Sequence, residues 1–98
     1  MSRVLIPGES ATGETRVAGS PDTVKKFVQN GCNVLVEKGA GLSAGFVDSA
    51  YSCVGAELVN PGDSIVWNKA DLVLCVQAPK QVNLEKMNSG ALLVGLLS

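Results

Sequence analysis

Arg16 is the single cation in the loop that joins the first apolar run of this chain to its first helical segment. It stands between Glu14 and the small-residue run Val17-Ala18-Gly19-Ser20, after Val4–Ile6 and before Pro21. A guanidinium at the mouth of a parallel sheet is a group an α/β protein can use to hold an anion. Its planar fork grips a carboxylate through two hydrogen bonds. The plainer alternative is a structural pairing with Glu14 or Glu9. Gln77 is the second candidate, at the C-terminal end of the apolar run DLVLCVQ, where open parallel sheets bind ligands. It is equally placed to cap a turn before Pro79.

Other chemistry is thinly represented. The chain has no histidine, which removes the commonest general base and metal ligand. Ser20 has no base to activate it and reads as a helix cap. Cys32, Cys53 and Cys75 lie 21 and 22 residues apart, an odd count without a CxxC pair. That pattern argues against a disulfide framework and a zinc site and reads as buried thiols in a reducing compartment. Gly39-Ala40-Gly41-Leu42-Ser43-Ala44 fits the GxGxxA form of the dinucleotide fingerprint. It follows the second strand, however, and no acidic residue ends the next strand, where Glu57 stands at the beginning. The following helix starts near Asp48, too far on for its N-terminus to meet a pyrophosphate. The loop reads as structural.

The elements that position these residues alternate between strand and helix. Arg3–Ile6 reads as a strand ended by Pro7-Gly8. Ser20 caps a helix with Pro21 at its first position, Asp22 in its first turn and an apolar stripe of Val24, Phe27 and Val28. Asn30-Gly31 closes it. Asn33–Glu37 is the second strand, and Asp48 caps a helix through Tyr51 and Val54. Glu57–Val59 is a third strand, and Asp63 caps a short helix carrying Ile65, Val66 and Trp67. Asp71–Gln77 and Ala91–Leu97 are strands four and five, both continuously apolar as expected of strands covered on two faces. Val82, Leu84 and Met87 fall in a helical segment between them. Tyr51 and Trp67 read as core or interface aromatics, Lys25 and Lys26 as a solvated face. Together these units predict an α/β fold: an open parallel sheet with helices on both faces. The chain stops straight after a strand of central type, which reads as a fragment of a longer polypeptide.

At 98 residues the chain is one domain, burying roughly two-thirds of its unfolded surface. Apolar residues make up 46% and charged residues 17%, rich enough to suggest a face for another domain or subunit. A net charge of −1 without a basic run speaks against nucleic-acid binding. The opening MSRVLIPGES is too short an apolar run for a signal peptide. No segment reaches the ~20 apolar residues that span a bilayer.

The segments GETRVAGSPDTVKKFVQNGCNVLVEKGAG, GFVDSAYSCVGAELV, ADLVLCVQAP and SGALLVGLLS resemble, in order, the N-terminal domain shared by alanine dehydrogenases and the alpha subunit of proton-translocating nicotinamide nucleotide transhydrogenase. The resemblance covers nearly the whole chain. It implies that residues 1–98 form a flavodoxin-like three-layer domain, truncated after the fifth strand. It also implies that a downstream Rossmann domain carries the true glycine fingerprint and most of the NAD(H) contacts. The nicotinamide end would lie in the cleft between the two. Alanine dehydrogenases resemble this chain at Arg16, but use a lysine where Gln77 stands and a histidine where Ser98 stands. Gln77 offers no charge to a carboxylate, and serine cannot replace imidazole as acid/base. The family's usual cations are also replaced by Gly8 and Cys75.

The resemblance therefore implies the transhydrogenase branch, in which hydride passes between NADH and NADP+ and no protein proton donor is needed. Arg16 and Gln77 would line the cleft, with no catalytic residue and no metal in this chain. NADP(H) would sit on a partner subunit or domain. The implied partners are the downstream Rossmann domain, a second copy in a homodimer, and membrane and NADP-binding subunits. The implied location is cytoplasmic, peripheral to the inner membrane. An alanine dehydrogenase-type enzyme and a non-catalytic scaffolding domain of the same fold are the alternatives.

Overall fold

The computed structural model describes residues 2–9, 14, 16–77 and 79–95. Five strands form one all-parallel sheet: β1 (Arg3–Ile6), β2 (Asn33–Glu37), β3 (Glu57–Val59), β4 (Leu72–Cys75) and β5 (Leu92–Gly95). Their order is β3-β2-β1-β4-β5. In chain order this is 3-2-1-4-5, the first five positions of the doubly wound order 3-2-1-4-5-6; it differs from the flavodoxin order 2-1-3-4-5 because β3 pairs outside β2 and leaves β4 beside β1. The chain reverses its direction of travel at β1. Its neighbours there are β2, in register from Arg3↔Asn33 to Ile6↔Val36, and β4, through Val4↔Leu72 and Leu5↔Val73.

Strand alternation sorts the core into two layers. Val4 and Ile6 of β1, Val34 and Val36 of β2, and Leu74 of β4 face one side. There they pack with Val24 of α1 (Pro21–Gln29) and Tyr51 of α2 (Asp48–Cys53). Leu5 and Val73 face the other side and meet Trp67 of α3 (Ser64–Lys69), Ala70 and Met87. Leu5, Ile6, Val24 and Val73 are wholly buried, and each such side chain contributes about 1.5–3 kcal/mol by leaving water. A short helix, α4 (Gln81–Leu84), precedes β5.

Local signals set the helix starts. Ser20 Oγ accepts the Thr23 amide at 3.3 Å with Pro21 at the first position of α1. Asp63 Oδ1 accepts the Ile65 and Val66 amides at 3.0 and 3.4 Å to open α3. Asp48 is not the cap of α2. Val47 holds that position, and Asp48, one residue inside, accepts the Gly39 amide at 2.8 Å. The carboxylate serves the preceding turn instead of its own helix. Strand β4 is shorter than its apolar run: Asp71 precedes it, accepting the Arg3 amide at 2.8 Å, and Val76 and Gln77 follow it. Strand β5 departs furthest from expectation. It is the sheet's edge and is not covered on both faces: Leu92 is 61% exposed and Leu93, pointing the other way, 39%. Residues 96 to 98 of that run lie outside the described residues.

Candidate functional site

The polar cluster of this molecule gathers at the C-terminal edge of the sheet, where the order reverses between β1 and β4. After β1 the chain passes through buried Pro7 and exposed Gly8 to Glu9. The Glu9 carboxylate reaches across to the end of β4, accepting the Val76 amide at 3.0 Å and the Gln77 amide at 2.9 Å. One side chain thus ties together two strand ends far apart in sequence.

Gln77 projects from that anchored end and donates through Nε2 to Glu14 Oε1 at 2.6 Å. Arg16 grips the same carboxylate in a fork, Nε to Oε2 and Nη2 to Oε1, both at 2.9 Å. Its own backbone amide adds a third bond to Oε2 at 2.9 Å. The two candidate residues are therefore brought together, with Glu14 as the link. The Glu14 side chain is only 4% exposed while that of Arg16 is 55% exposed. The Arg16 side-chain bonds, then those of Gln77 and of the Arg16 amide, hold the Glu14 carboxyl down at about 2. Glu14 in turn raises Arg16 above its ordinary value, so the guanidinium stays charged. Arg16 presents its outer surface to solvent with its Nε–Nη2 edge already occupied by Glu14.

A further acidic residue of this edge was not marked by its sequence. Glu37, the last residue of β2, is 5% exposed and has no cationic partner among the described residues. Its Oε1 accepts the Gly8 amide at 2.8 Å, and its Oε2 accepts the Gly62 amide at 2.7 Å and the Trp67 indole N–H at 3.1 Å. A glutamate closing the run NVLVE looks like a strand end turning to solvent. Its donors come from 25 to 30 residues away, beyond the reach of any local pattern.

The positions read as departures from the family pattern also find places. Gly8 donates its amide to Glu37. Cys75 is buried, with Sγ 3.6 Å from the Val94 carbonyl. Burial, with Glu9 adding to it, pushes its thiol up. Cys53 is exposed and Cys32 half-buried, so the three thiols are not uniformly internal. Ser98 lies outside the described residues. In the glycine turn, Gly39 has φ +82° and its amide is committed to Asp48. Gly41 lies against Tyr51 and Phe46, and the Tyr51 hydroxyl donates to the Gly19 carbonyl at 2.8 Å. The turn is filled by a tyrosine ring. A cavity of about 450 Å³ lies at the opposite, N-terminal end of the strands, beside Arg3, Asn33, Glu57 and Lys69. It shares no residue with the Arg16–Gln77 cluster.

Fold and site together define an open parallel α/β domain whose polar groups gather at the switch point of the sheet. The protein-family model for the alanine dehydrogenase/PNT N-terminal domain matches residues 5–98, and the chain belongs to that family. It is 35% identical over 92 residues to the NAD(P) transhydrogenase subunit alpha of Cereibacter sphaeroides, spanning 94% of this chain and 17% of that protein. It is 36% identical over 95 residues to an alanine dehydrogenase of Mycobacterium tuberculosis, spanning 97% of this chain and 25% of that protein. The crystal structure of transhydrogenase from Sinorhizobium meliloti superposes with a TM-score of 0.89 at 35% identity, over 98% of this chain and 28% of that one. The chain thus spans about a quarter or less of the curated relatives it matches, and those relatives are oxidoreductases of two kinds.

Proposed function

We propose that this chain is the first domain of an NAD(P) transhydrogenase alpha subunit and forms one wall of its NAD(H) cleft. In this reading the complete enzyme moves hydride from NADH to NADP+, coupled to proton translocation. The observation that carries it is the state of Arg16. An alanine dehydrogenase must hold the carboxylate of a free acid, and the Nε–Nη2 edge of Arg16 already carries the Glu14 carboxylate, whose charge would oppose a second carboxylate on the outer N–H groups. Gln77, neutral and bonded to the same carboxylate, adds no charge to attract a second one. Such a wall suits a nicotinamide, neutral in NADH and cationic in NAD+, and its ribose, whose contacts are hydrogen bonds. The nicotinamide supplies the hydride chemistry. Arg16 and Gln77 would line and orient, with no proton to donate.

The glycine turn does not fit a pyrophosphate, because Tyr51 occupies the space beside Gly41 and Gly39 is bonded to Asp48. The phosphates would be held by a downstream Rossmann domain, and NADP(H) by a partner subunit or domain. The exposed Leu92 and Leu93 of β5 suit further protein surface. The partners in this reading are that Rossmann domain, a second copy, and the membrane and NADP-binding subunits. The domain would lie on the cytoplasmic side, peripheral to the inner membrane. Among the described residues no helix is long and apolar enough to cross a membrane.

The test is a pair of assays on the full-length polypeptide with its native partner subunits: NADH reduction of an NADP+ analogue, and NADH-dependent amination of pyruvate. The first activity is expected and the second is not. Robust pyruvate turnover would transfer the assignment to the amino-acid dehydrogenases, a reading favoured by the equal similarity to alanine dehydrogenase. Absence of both activities would favour a scaffolding domain. The 98-residue chain alone is expected to bind NADH no tighter than millimolar, read by nucleotide fluorescence.

A further inference from the structure

The buried carboxylate of Glu37 faces three N–H donors and forms no ion pair among the described residues. A glutamate is costly to bury, and a fold that needed only packing would place an apolar residue at this strand end. What the carboxylate does is join segments. Its Oε1 holds the first free amide after β1, that of Gly8, since buried Pro7 has none to offer. Its Oε2 holds Gly62, between β3 and α3, and the indole of Trp67. The Gly62 carbonyl is gripped in turn by Lys86 Nζ at 2.8 Å.

Gly8 is the residue before Glu9, and Glu9 fixes the amides of Val76 and Gln77. We infer that Glu37 is a positioning residue for the cleft wall: by pinning the Gly8 amide it sets Glu9, and through Glu9 the end of β4 from which Gln77 reaches Glu14 and Arg16. Glu37 touches none of the ligand-facing groups itself. The inference rests on the proposed cleft role of Arg16 and Gln77 for its functional meaning, while the positioning can be measured without nucleotide.

The test is amide hydrogen exchange, resolved by NMR, on the 98-residue chain and four variants. In Glu37→Gln an NH2 group replaces an acceptor facing three donors. Gly8 and Gly62 are expected to lose protection directly, and Val76 and Gln77 to exchange roughly five- to tenfold faster, the effect of losing about one hydrogen bond. Gly8→Pro removes the donor and leaves Glu37 in place. It is expected to expose Val76 and Gln77 while Gly62 stays protected. Trp67→Phe removes the indole donor and should leave Val76 and Gln77 as in the parent chain. Glu37→Asp keeps the charge on a shorter arm. Across the set, protection at Val76 and Gln77 should follow that of Gly8 and not that of Gly62. If those amides stay unchanged when Gly8 is freed, or follow Gly62 instead, the positioning role is wrong and Glu37 is only a structural bracket. Should Glu37→Gln not fold, Gly8→Pro and Trp67→Phe make the same comparison. Because no nucleotide is involved, this outcome is independent of the transhydrogenase assay.

Discussion

Replacing Gly41 with alanine puts a methyl group where there is no space for one. The new Cβ would lie 2.7 Å from Cε2 and from the hydroxyl oxygen of Tyr51, and 2.9 Å from Cβ of Phe46. Carbon atoms in contact sit about 3.5–4.0 Å apart, so something must retreat by nearly an ångström. The Tyr51 ring is wholly buried and tied to the Gly19 carbonyl at 2.8 Å, which leaves it little freedom. Gly41 itself has φ −95°, a conformation alanine adopts freely, so the cost is steric rather than torsional. Overpacking of this kind costs about 1–3 kcal/mol, with roughly 1 kcal/mol more if the tyrosine bond is given up. For a domain of this size each kcal/mol lowers Tm by about 4–8 °C. Urea unfolding followed by the fluorescence of Trp67, the sole tryptophan, reads the loss directly. Gly45→Ala is the control, with φ +90° and open space around it. It should lose only the left-handed penalty of about 1–2 kcal/mol. The reasoning fails if Gly41→Ala is as stable as the parent chain. It fails more deeply if the parent binds NADH at micromolar levels and Gly41→Ala abolishes it, because the turn would then be a phosphate cradle.

Three further outcomes are expected. The depressed Glu14 carboxyl contributes stability that is fully present above its unfolded value of 4.5 and is lost as pH falls toward its folded value of about 2. The urea midpoint should therefore drop across that window, and Arg16→Gln should flatten the drop. Iodoacetamide at pH 8 should alkylate the three thiols in the order Cys53, Cys32, Cys75, followed by mass spectrometry. Cys53 is exposed, and the Cys75 thiol is buried and pushed up. Asp63→Ala removes the acceptor for two amides at the start of α3 and should cost about 1 kcal/mol in urea unfolding, with m unchanged.

Much of the fold is legible because its punctuation is local. Ser20-Pro21, Asn30-Gly31 and Asp63 each act within a few residues, so α1 and α3 begin where capping chemistry says they must. Strands β1, β2 and β3 end at prolines, glycines and turns that a single pass along the chain can find. Strand β5 reads as a covered strand because an unbroken apolar run signals buried faces without saying what covers them. Leu92 and Leu93 look like core in sequence and stand exposed at the sheet edge. The site was half legible. Arg16 stands out as a lone cation and Gln77 by its strand end, yet their link through Glu14 spans 63 residues. Glu9 and Glu37 gave no local sign at all, because their partners are backbone amides, and every residue but proline has one.

That choice of partners bears on the chemistry of the edge. Three carboxylates, those of Glu9, Glu14 and Glu37, gather there with one guanidinium. Two of them are satisfied by neutral N–H donors, and the third takes up the cation. The edge therefore carries more carboxylates than cations, and its guanidinium is already paired with Glu14. A carboxylate substrate would meet Arg16 at its outer N–H groups, with the Glu14 carboxylate bonded to the other edge of the same guanidinium and opposing its charge. A nicotinamide carboxamide would need only the outer N–H groups of Arg16 and the side-chain carbonyl oxygen of Gln77. The excess of carboxylates at this edge therefore weighs against an anionic substrate there, which supports the proposed transhydrogenase reading over the amino-acid one.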